Sequence, residues 1–517
     1  MSFPEKMTLD SNVLDELGIQ QSLLGTLLTF TVVLLVTRFL QIHFFNQEKP
    51  KGKLPPGPKG YPIVGDIPFF NKYGSLEGFR MLRKQYGDIY SIRMGMWPTV
   101  VISGKEAFKA ALSMEEFSDR PLFFINRLIG GPVKGLVFGK YNPRWVLHRR
   151  IAGNALKMFT GTRNNPITEM VQEQAQDLVN EFLEHHGEAF DPCESISFSV
   201  GSVIYQVVYG RGRKAKEDKQ LSYLIRNFGD FKNFTRAGNP FDVMPYMAFM
   251  MPWKYKGILT ILFRMGKLAA KKIAYHKKDY DADHLRDAAD GLLHATESYS
   301  AEEKRKAGLT NKMIVETVHD YIGAGFDTVA STLTWAFMYL AENPEVQAKA
   351  RAELDNVLGS RTVTIQDRAK LPYVEAVMLE VLRTSATLPM CVPHGTTCDV
   401  TFRGYNIPKD TVVFFDLYGT SFDPDLWENP DEFNPERFLN VDGTLDQAKV
   451  DLSVAFGFGK RRCLGEGLAR LEVFLFLVNV LQRCELLKPE GPPYDKVGLY
   501  SFVRSPHPYK LIVRPTE

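Results

Sequence analysis

The stretch FGFGKRRCLGEGLARLEVFLFL, Phe456–Leu477, places a single cysteine, Cys463, in a basic, glycine-rich loop before an apolar run. The apolar spacing predicts a helix over 466–483. Gly465 stands where that helix begins, and the partial positive charge of a helix N-terminus favours a thiolate over a thiol. The loop therefore predicts a low pKa for Cys463, which suits a nucleophile, a redox sensor or an anionic metal ligand better than a merely structural cysteine.

The residues around Cys463 are of two kinds. Glycines permit close backbone approach and φ angles that other residues avoid; they are Gly457, Gly459, Gly465 and Gly467. Lys460, Arg461 and Arg462 add positive charge. A thiolate bound to haem iron accounts for both kinds, because a flat porphyrin needs close backbone approach and its propionates need cations.

Composition limits the classes of protein to consider. The chain has 517 residues, with 63 basic and 60 acidic side chains, and the near-neutral balance does not indicate a nucleic-acid binder. Five irregularly spaced cysteines are too few for a disulfide framework or a zinc ribbon, so a reducing compartment is the simpler interpretation. The length allows one large domain with a sizeable core.

The N-terminal part predicts a membrane anchor. Residues 17–37 carry no formal charge over about the length that a spanning helix needs. Side chains before this run are mainly acidic and those after it mainly basic, so the positive-inside rule places a short lumenal N-terminus, 1–16, across the membrane from a cytosolic body. A cleaved signal peptide and a buried core helix are the alternatives; the first lacks a basic start and a cleavage site.

The body is predicted to be mainly α with small β-sheets, in a single large domain over 66–517. A basic, proline-rich hinge over 38–65 precedes it and is expected to be extended rather than helical. Helical spacing is longest over 311–342 and ends at Asn343-Pro344, and a further helix is predicted over 371–383. Short strands are predicted over 89–94, 99–104 and within 391–418.

Three other motifs carry chemical groups at helical spacing. Glu380 and Arg383 lie one turn apart and can pair on one face, which alone most often means a surface salt bridge. Trp145 and Arg149 can present an indole N–H and a guanidinium from one face, or can be a solvated basic helix end. The run GAGFDT, 323–328, puts small residues beside a carboxylate and a hydroxyl, which makes room for something flat or forms a helix-packing notch.

Taken together, these motifs resemble the cytochrome P-450 superfamily. FGFGKRRCLG resembles its haem-binding loop, LEVLR and FNPERF its buried Glu–Arg–Arg network, and GAGFDT its oxygen-activation groove. The resemblance implies the cytochrome P-450 fold, haem b as cofactor, and Cys463 as the iron ligand. It also implies a structural network of Glu380, Arg383 and Arg437, with Asp327 and Thr328 organising proton delivery. Val329 departs from the serine or threonine that is common at its position.

The same resemblance assigns the remaining cofactor contacts. Propionate contacts are expected from Trp145, Arg149, Arg461, Arg120 and His394, and other contacts with the haem are expected from Phe456, Gly457, Gly465 and Ala324.

The anchor followed by PPGP resembles the microsomal animal type in the endoplasmic reticulum membrane, single-pass with a cytosolic catalytic domain. Such enzymes take electrons from NADPH through NADPH–cytochrome P-450 reductase, with cytochrome b5 as a second candidate donor. A basic docking face for the donor is expected from Arg144, His148, Arg150, Lys460 and Arg462.

The branch that holds aryl-hydrocarbon hydroxylases and steroid 17-hydroxylases is the most similar, and the first of these is the closer match. The resemblance implies a monooxygenase that acts on a hydrophobic polycyclic aromatic, xenobiotic or steroid-like substrate. The expected pocket residues are Phe123, Phe124, Phe228, Phe231, Phe326, Leu388, Val392, Leu499 and Tyr500. A haem-thiolate isomerase or dehydratase and a non-enzymatic haem sensor are the rival hypotheses.

Overall fold

A computed structural model describes residues 30–31, 52–121, 123, 135–160, 166–210, 219–235 and 240–516. The chain divides into two compact units, Met1–Gly52 and Lys53–Glu517. The predicted lumenal segment 1–16, the predicted anchor apart from Phe30 and Thr31, and the hinge before residue 52 lie outside the described residues. Among the residues that are described, no helix is both long and apolar enough to cross a membrane.

The larger unit is mainly helical, as the sequence predicts. Its helices, in chain order, are α1 Ile67–Tyr73, α2 Ser75–Tyr86, α3 Lys105–Ser113, α4 Pro143–Thr160, α5 Pro166–Leu183, α6 Cys193–Tyr209, α7 Lys219–Thr235, α8 Pro240–Val243, α9 Met247–Met250, α10 Pro252–His276, α11 Ala288–Glu297, α12 Ala301–Ala307, α13 Asn311–Glu342, α14 Pro344–Val357, α15 Pro372–Ser385, α16 Leu417–Ser421, α17 Gln447–Val450 and α18 Glu466–Arg483. Short 3-10 turns lie at Glu115–Phe117, Ile365–Lys370, Pro435–Phe438 and Gly459–Arg461.

The strands of the described residues form one four-stranded sheet and three two-stranded sheets. They are β1 Ile89–Met94, β2 Trp97–Ile102, β3 His394–Gly395, β4 Val400–Phe402, β5 Tyr405–Ile407, β6 Val412–Phe415, β7 Cys484–Leu487, β8 Leu499–Tyr500, β9 Arg504–Ser505 and β10 Ile512–Pro515. The largest sheet has the order β1-β2-β6-β3, with β2 and β6 parallel and Val101 opposite Phe414. The other pairs are β7–β10, β4–β5 and β8–β9.

The long helix α13 is the centre of the fold, and its predicted bounds are confirmed. Thr310 begins it by accepting the Met313 N–H at its hydroxyl, and the helix stops before Pro344. Its second half is buried on all sides, which its continuous apolar sequence requires. A Cβ added to Gly325 would lie 2.8 Å from the Ile204 side chain, so this glycine lets α6 pack closely against α13.

Helix α18 follows the Cys463 loop and is buried over most of its length. Its bounds agree with the predicted helix 466–483, and Gly465 is the residue that caps it. It packs against α5, α13, α14 and α15, so the thiol-bearing loop is attached to the most rigid part of the core.

The proline-rich segment that begins at Lys53 is extended, as predicted, and it lies along the sheet. Ser91 N–H donates to the Pro56 carbonyl over 2.7 Å, and Asn406 N–H donates to the Lys53 carbonyl over 2.8 Å. Prolines cannot donate backbone hydrogen bonds, so the segment uses its carbonyls to attach to neighbouring strands.

Candidate active site

The backbone of the Cys463 loop needs glycine at two of its positions. Gly457 and Gly459 have φ angles of +66° and +65°, and a Cβ on Gly459 would lie 1.9 Å from the Leu112 carbonyl oxygen. The loop closes where the Cys463 N–H donates to the Phe456 carbonyl over 2.9 Å. Gly465 has φ −92° and no atom within 4 Å of an added Cβ, so the special φ angle expected of it is not used.

Loss of hydration raises the pKa of the Cys463 thiol above its usual value, although the residue as a whole is exposed. The Gly465 N–H, Arg149 and Arg462 act in the opposite direction and do not outweigh the loss of hydration. The low pKa expected from the sequence is therefore wrong for the free thiol. A nucleophile or redox sensor needs a low pKa, whereas a metal ligand does not, because the metal itself displaces the proton.

Two arginines lie beside this loop, Arg120, which is buried, and Arg461, which is partly buried. Both donate to backbone carbonyls of the described residues. The acceptors of Arg461 are Ser118 at 2.8 Å, Gly139 at 2.6 Å and Leu136 at 3.2 Å. Those of Arg120 are Val137 at 2.9 Å, Val392 at 2.8 Å and Pro393 at 2.9 Å. Burial, together with the nearby charge of Arg149, lowers the pKa of Arg120 to about 9. Burial and the charges of Arg120 and Arg149 lower the pKa of Arg461 to about 8.

The indole of Trp145 lies between two of the arginines. The Arg461 guanidinium carbon is 3.8 Å from the ring centre, and that of Arg149 is 5.6 Å from it. The indole N–H donates to the Leu136 carbonyl over 3.0 Å, and Arg149 donates to the Arg462 carbonyl. Trp145 therefore orients the arginines through its ring, while its N–H is used by the chain itself.

His394 is buried next to the same group. Its Nδ1 lies 2.6 Å from the Phe117 carbonyl, which can only accept, so Nδ1 carries the proton. Burial and Arg120 lower the pKa of His394 well below its usual value. The ring is thus neutral with no proton on Nε2, and it can donate to an anion only after it takes up a second proton.

This cluster fits the propionates of a haem. Three cationic side chains are brought together, and Asp119 is the carboxylate that attracts both Arg120 and Arg461. Asp119 is also shared with Lys140 at 3.5 Å and with the Tyr141 N–H at 2.9 Å. Buried cations without a matching number of anions are costly, and a bound dianionic group would balance them.

The groove in α13 is narrower than the sequence suggests. Ala324 is exposed although Ile322 and Phe326 beside it are buried, so its methyl group faces an open space within the fold. An added Cβ on Gly323 would lie 3.6 Å from Phe228, and Gly325 faces α6. The groove is therefore at Ala324, while Gly325 is a packing notch.

Asp327 and Thr328 follow one turn later. The Thr328 hydroxyl donates to the Ala324 carbonyl over 2.7 Å, which leaves its oxygen able to accept. Asp327 forms an ion pair with Lys232 of α7, and the Lys232 ammonium is also 3.4 Å from the Ser505 hydroxyl. The carboxylate is thus connected to two elements that lie outside its own helix.

Glu380, Arg383 and Arg437 form one buried group. The two Glu380 oxygens lie 2.7 Å from Arg383 Nε and 3.2 Å from Arg437 Nε. The Asn434 N–H donates to Glu380 over 2.8 Å, and Arg383 donates to the carbonyls of Ser421, Pro430 and Glu432. Each charge has a full set of partners, which a buried ion pair requires.

The described pocket candidates have different neighbours. Phe228 and Phe326 are in contact, with ring centres 5.2 Å apart. Phe123 packs edge-on against Trp97, and Tyr500 packs on the apolar cluster of the large sheet. The partly buried members are Phe231, Leu388, Val392 and Leu499, and Phe124 lies outside the described residues.

The expected basic docking face needs one correction. His148 is buried, with its Nε2 3.0 Å from the Ala307 carbonyl, so it cannot face a partner protein. Lys460 and Arg462 are exposed but pair with Glu115 at 2.9 Å and Glu466 at 2.8 Å. Arg144 and Arg150 are exposed on α4, so the face is smaller and less positive than expected.

Comparison with known proteins now decides the family. The family model described as Cytochrome P450 matches residues 55–513, from the proline-rich segment to the last strand. The chain belongs to the cytochrome P450 family. The resemblance seen in the sequence is thereby confirmed, and the family implies a haem iron cofactor and monooxygenase activity. This chain is a cytochrome P450 monooxygenase.

Similar curated proteins cover nearly the whole chain. Cytochrome P450 1A5 of Gallus gallus is 36% identical over 489 residues, which span 92% of this chain and 91% of that protein. Cytochrome P450 1A1 of Homo sapiens is 35% identical over 477 residues, 90% of this chain and 93% of that protein. The relative of Felis catus, cytochrome P450 1A1, is 34% identical over 476 residues, 90% and 92% of the two chains.

Three groups in this P450 were not found from the sequence. Lys232 and Asp327 are far apart in the chain, so no local pattern connects them. Asp320 precedes Ala324 by four residues and Thr328 by eight, and this i, i+4 spacing on one helix face is a signal that could have found it. Glu472 is buried, its Oε2 has no hydrogen-bond partner among the described residues, and burial raises its pKa well above the usual value.

Proposed function

We propose that this P450 inserts one atom of dioxygen into a flat, hydrophobic substrate, with electrons from NADPH through NADPH–cytochrome P-450 reductase. Polycyclic aromatic or other xenobiotic molecules are the preferred substrate class, and steroid-like molecules are the second. The similarity to P450 1A relatives supports the first class. The proposed location is the endoplasmic reticulum membrane, single-pass, with the catalytic domain in the cytosol and cytochrome b5 as a further donor.

One observation carries the assignment of the cofactor site. Arg120 is buried and Arg461 is partly buried beside the Cys463 loop, and Asp119 is the carboxylate near both of them. Cys463 would hold the haem iron, and Arg120, Arg461 and Arg149 would hold the propionates. Trp145 would orient the arginines through its ring, and His394 would donate to a propionate once its Nε2 is protonated. Phe456, Gly457, Gly465 and Ala324 would lie against the ring. When bound, the haem supplies the activation of dioxygen.

Asp327 and Thr328 are proposed to move protons within the groove. The Thr328 hydroxyl donates to the Ala324 carbonyl, so its oxygen is free to accept from a donor in the groove. The Asp327 carboxylate is paired with Lys232, so it becomes available to a proton donor in the groove when that pair opens.

The substrate is proposed to lie over Ala324, against the contact between Phe228 and Phe326. These two apolar rings lie close to a residue whose methyl group is exposed. Phe123, Phe124, Phe231, Leu388, Val392, Leu499 and Tyr500 remain proposed pocket residues.

Aerobic turnover tests the function. The full-length protein is incubated with reductase and NADPH against a panel of polycyclic aromatics and steroids, and the products are identified by mass. We expect a product heavier by one oxygen from at least one aromatic. If no panel member is oxygenated and no substrate changes NADPH consumption, the proposal is wrong.

A second experiment tests the iron ligand. The variant Cys463→Ala is expected to lose the thiolate-type spectrum of the reduced carbon monoxide complex. Cys398→Ala, which removes another exposed thiol, is the matched control and is expected to keep it. Survival of the thiolate-type spectrum in Cys463→Ala would show that another residue binds the iron.

A further inference from the structure

The segment 135–137 contains the Leu136 and Val137 carbonyls, which accept from Arg461 and Arg120. Asp320 attaches this segment to α13. The Val137 N–H donates to Asp320 Oδ2 over 3.1 Å, and the Leu136 N–H also interacts with this carboxylate. Burial raises the pKa of Asp320 to about 6, and the two N–H groups act against that rise. The backbone of the segment therefore favours the ionised form of the carboxylate.

The carbonyls of the same two residues accept hydrogen bonds from the side chains of the proposed propionate site. The Leu136 carbonyl accepts from Trp145 Nε1 at 3.0 Å and from Arg461 at 3.2 Å. The Val137 carbonyl accepts from Arg120 Nε at 2.9 Å. The segment is therefore held on its N–H side by one carboxylate and holds three cluster side chains on its carbonyl side.

Planarity of the peptide bond connects the two sides. The Leu136 carbonyl and the Val137 N–H belong to one peptide unit, and the described chain has no cis peptide bond. When Asp320 fixes the direction of the Val137 N–H, it also fixes the opposite direction of the Leu136 carbonyl. That carbonyl is the acceptor shared by Trp145 and Arg461.

The approach of the segment to Asp320 is close enough that a side chain at residue 135 would displace the carboxylate. A Cβ on Gly135 would lie 2.1 Å from Asp320 Oδ2. Asp320 also lies four residues before Ala324 on α13, so the carboxylate and the groove share a helix face.

We infer that Asp320 is a positioning residue that holds Arg461, Trp145 and Arg120 in place through the backbone of Leu136 and Val137. The inference rests on the proposed function, because it takes these side chains as the propionate site. Asp320 itself need not touch the haem. Its effect passes through one rigid peptide unit to the arginines.

Three variants of the full-length, haem-loaded protein test this role: Asp320→Ala, Asp320→Asn and Gly135→Ala. The readouts are the rate of haem transfer to apomyoglobin and the propionate bending modes in the resonance Raman spectrum. We expect Asp320→Ala and Gly135→Ala to shift those modes and to release haem roughly tenfold faster, as loss of an outer partner does at metal sites. Asp320→Asn is expected to show a haem release rate and a shift of the propionate modes between those of the other two variants and the wild type. Its amide oxygen still accepts one N–H.

Glu353→Ala is the matched structural control. Glu353 also accepts two backbone N–H groups, from Tyr373 and Val374, each over 2.9 Å, but it does so between α14 and α15. We expect this variant to leave the propionate modes and the haem release unchanged. An equal change in Glu353→Ala would show that loss of any such attachment is enough, and it would overturn the role of Asp320.

Arg461→Gln separates this inference from the proposed function. If it shifts the propionate modes while all three test variants match the wild type, Asp320 is not a positioning residue and the propionate site stands. If neither Arg461→Gln nor the test variants shift them, the propionate site itself is misassigned and the inference fails with it.

Discussion

The guanidinium of Arg461 lies over the indole of Trp145, with its central carbon 3.8 Å from the ring centre. The same guanidinium donates to three backbone carbonyls, so both the ring and the carbonyls fix its position. A planar cation in this position is oriented before any anion binds, which lowers the entropic cost of binding.

Arg461→Lys is expected to weaken haem retention although it keeps the charge. Lysine cannot reproduce the contact of a planar guanidinium with the Trp145 ring or the forked donation to three carbonyls. We expect haem release to become roughly tenfold faster, measured by transfer to apomyoglobin. Arg462→Lys, at an exposed arginine paired with Glu466, is the control and should release haem at the wild-type rate. Equal rates in both variants would argue against the orienting role of Trp145.

Loss of Lys232 is expected to destabilise the protein through Asp327. Lys232 is about one-third exposed and Asp327 is 15% exposed, so solvent screens the pair only in part. We expect Lys232→Met to lower the free energy of unfolding by about 1 kcal/mol. The double variant with Asp327→Asn should recover most of that loss, because no buried charge is then left without its partner.

The check on this pair is a double-mutant cycle in urea. A coupling energy near zero between Lys232 and Asp327 would contradict the ion pair. Lys349→Met, at an exposed pair with Glu436, is the matched control and is expected to change the free energy of unfolding by less than about 0.5 kcal/mol.

Removal of Glu380 is expected to have a much larger effect. Glu380→Gln leaves the guanidiniums of Arg383 and Arg437 buried without their counterion. We expect the free energy of unfolding to fall by about 3–5 kcal/mol, measured in urea with haem bound. Glu302→Gln, which breaks an exposed pair with Lys306 on α12, should cost less than about 0.5 kcal/mol. A similar loss of unfolding free energy in both variants would show that the buried group of Glu380, Arg383 and Arg437 does not stabilise the fold more than an exposed ion pair does.

Glu472 predicts a pH dependence of stability. Burial raises the pKa of Glu472 in the folded state far above its value in the unfolded chain. Between those two values the folded protein binds one more proton than the unfolded protein, so this group's contribution to stability falls as the pH rises. It is fully favourable only below the pKa of the unfolded chain.

The comparison of wild type with Glu472→Gln between pH 5 and pH 8 measures this contribution. The difference in the free energy of unfolding is expected to move against the wild type by about 1.4 kcal/mol per pH unit. Parallel curves for the two proteins would mean that Glu472 is ionised in the folded state.

Prediction from sequence succeeded where the determinants are local. The bounds of α13 and α18 follow from Thr310, Pro344 and Gly465, because caps, prolines and apolar spacing act within a few residues. The strand 89–94 and the extended proline-rich segment after Lys53 were predictable for the same reason. The buried pairing of Glu380 with Arg383 has the spacing of one helical turn, but its burial depends on the loop that carries Arg437.

Prediction from sequence failed where a pKa or the exposure of a residue depends on hydration or on packing between elements distant in the chain. The pKa of Cys463 is raised rather than lowered, because loss of hydration outweighs the helix terminus and the nearby arginines. His148 is buried against α12 rather than presented on the surface. Gly325 faces Ile204 rather than the groove, which depends on how α6 crosses α13.

The sequence by itself determined the family and the helices that carry the site, because these depend on motifs and on short-range spacing. Only the tertiary structure decided which charged side chains contact each other or the backbone of a distant segment. Asp320 reaches the Leu136–Val137 peptide and Lys232 reaches Asp327 across 183 and 95 residues of chain. Such contacts form only when packing removes water from both partners, and that process depends on the whole core rather than on any one segment.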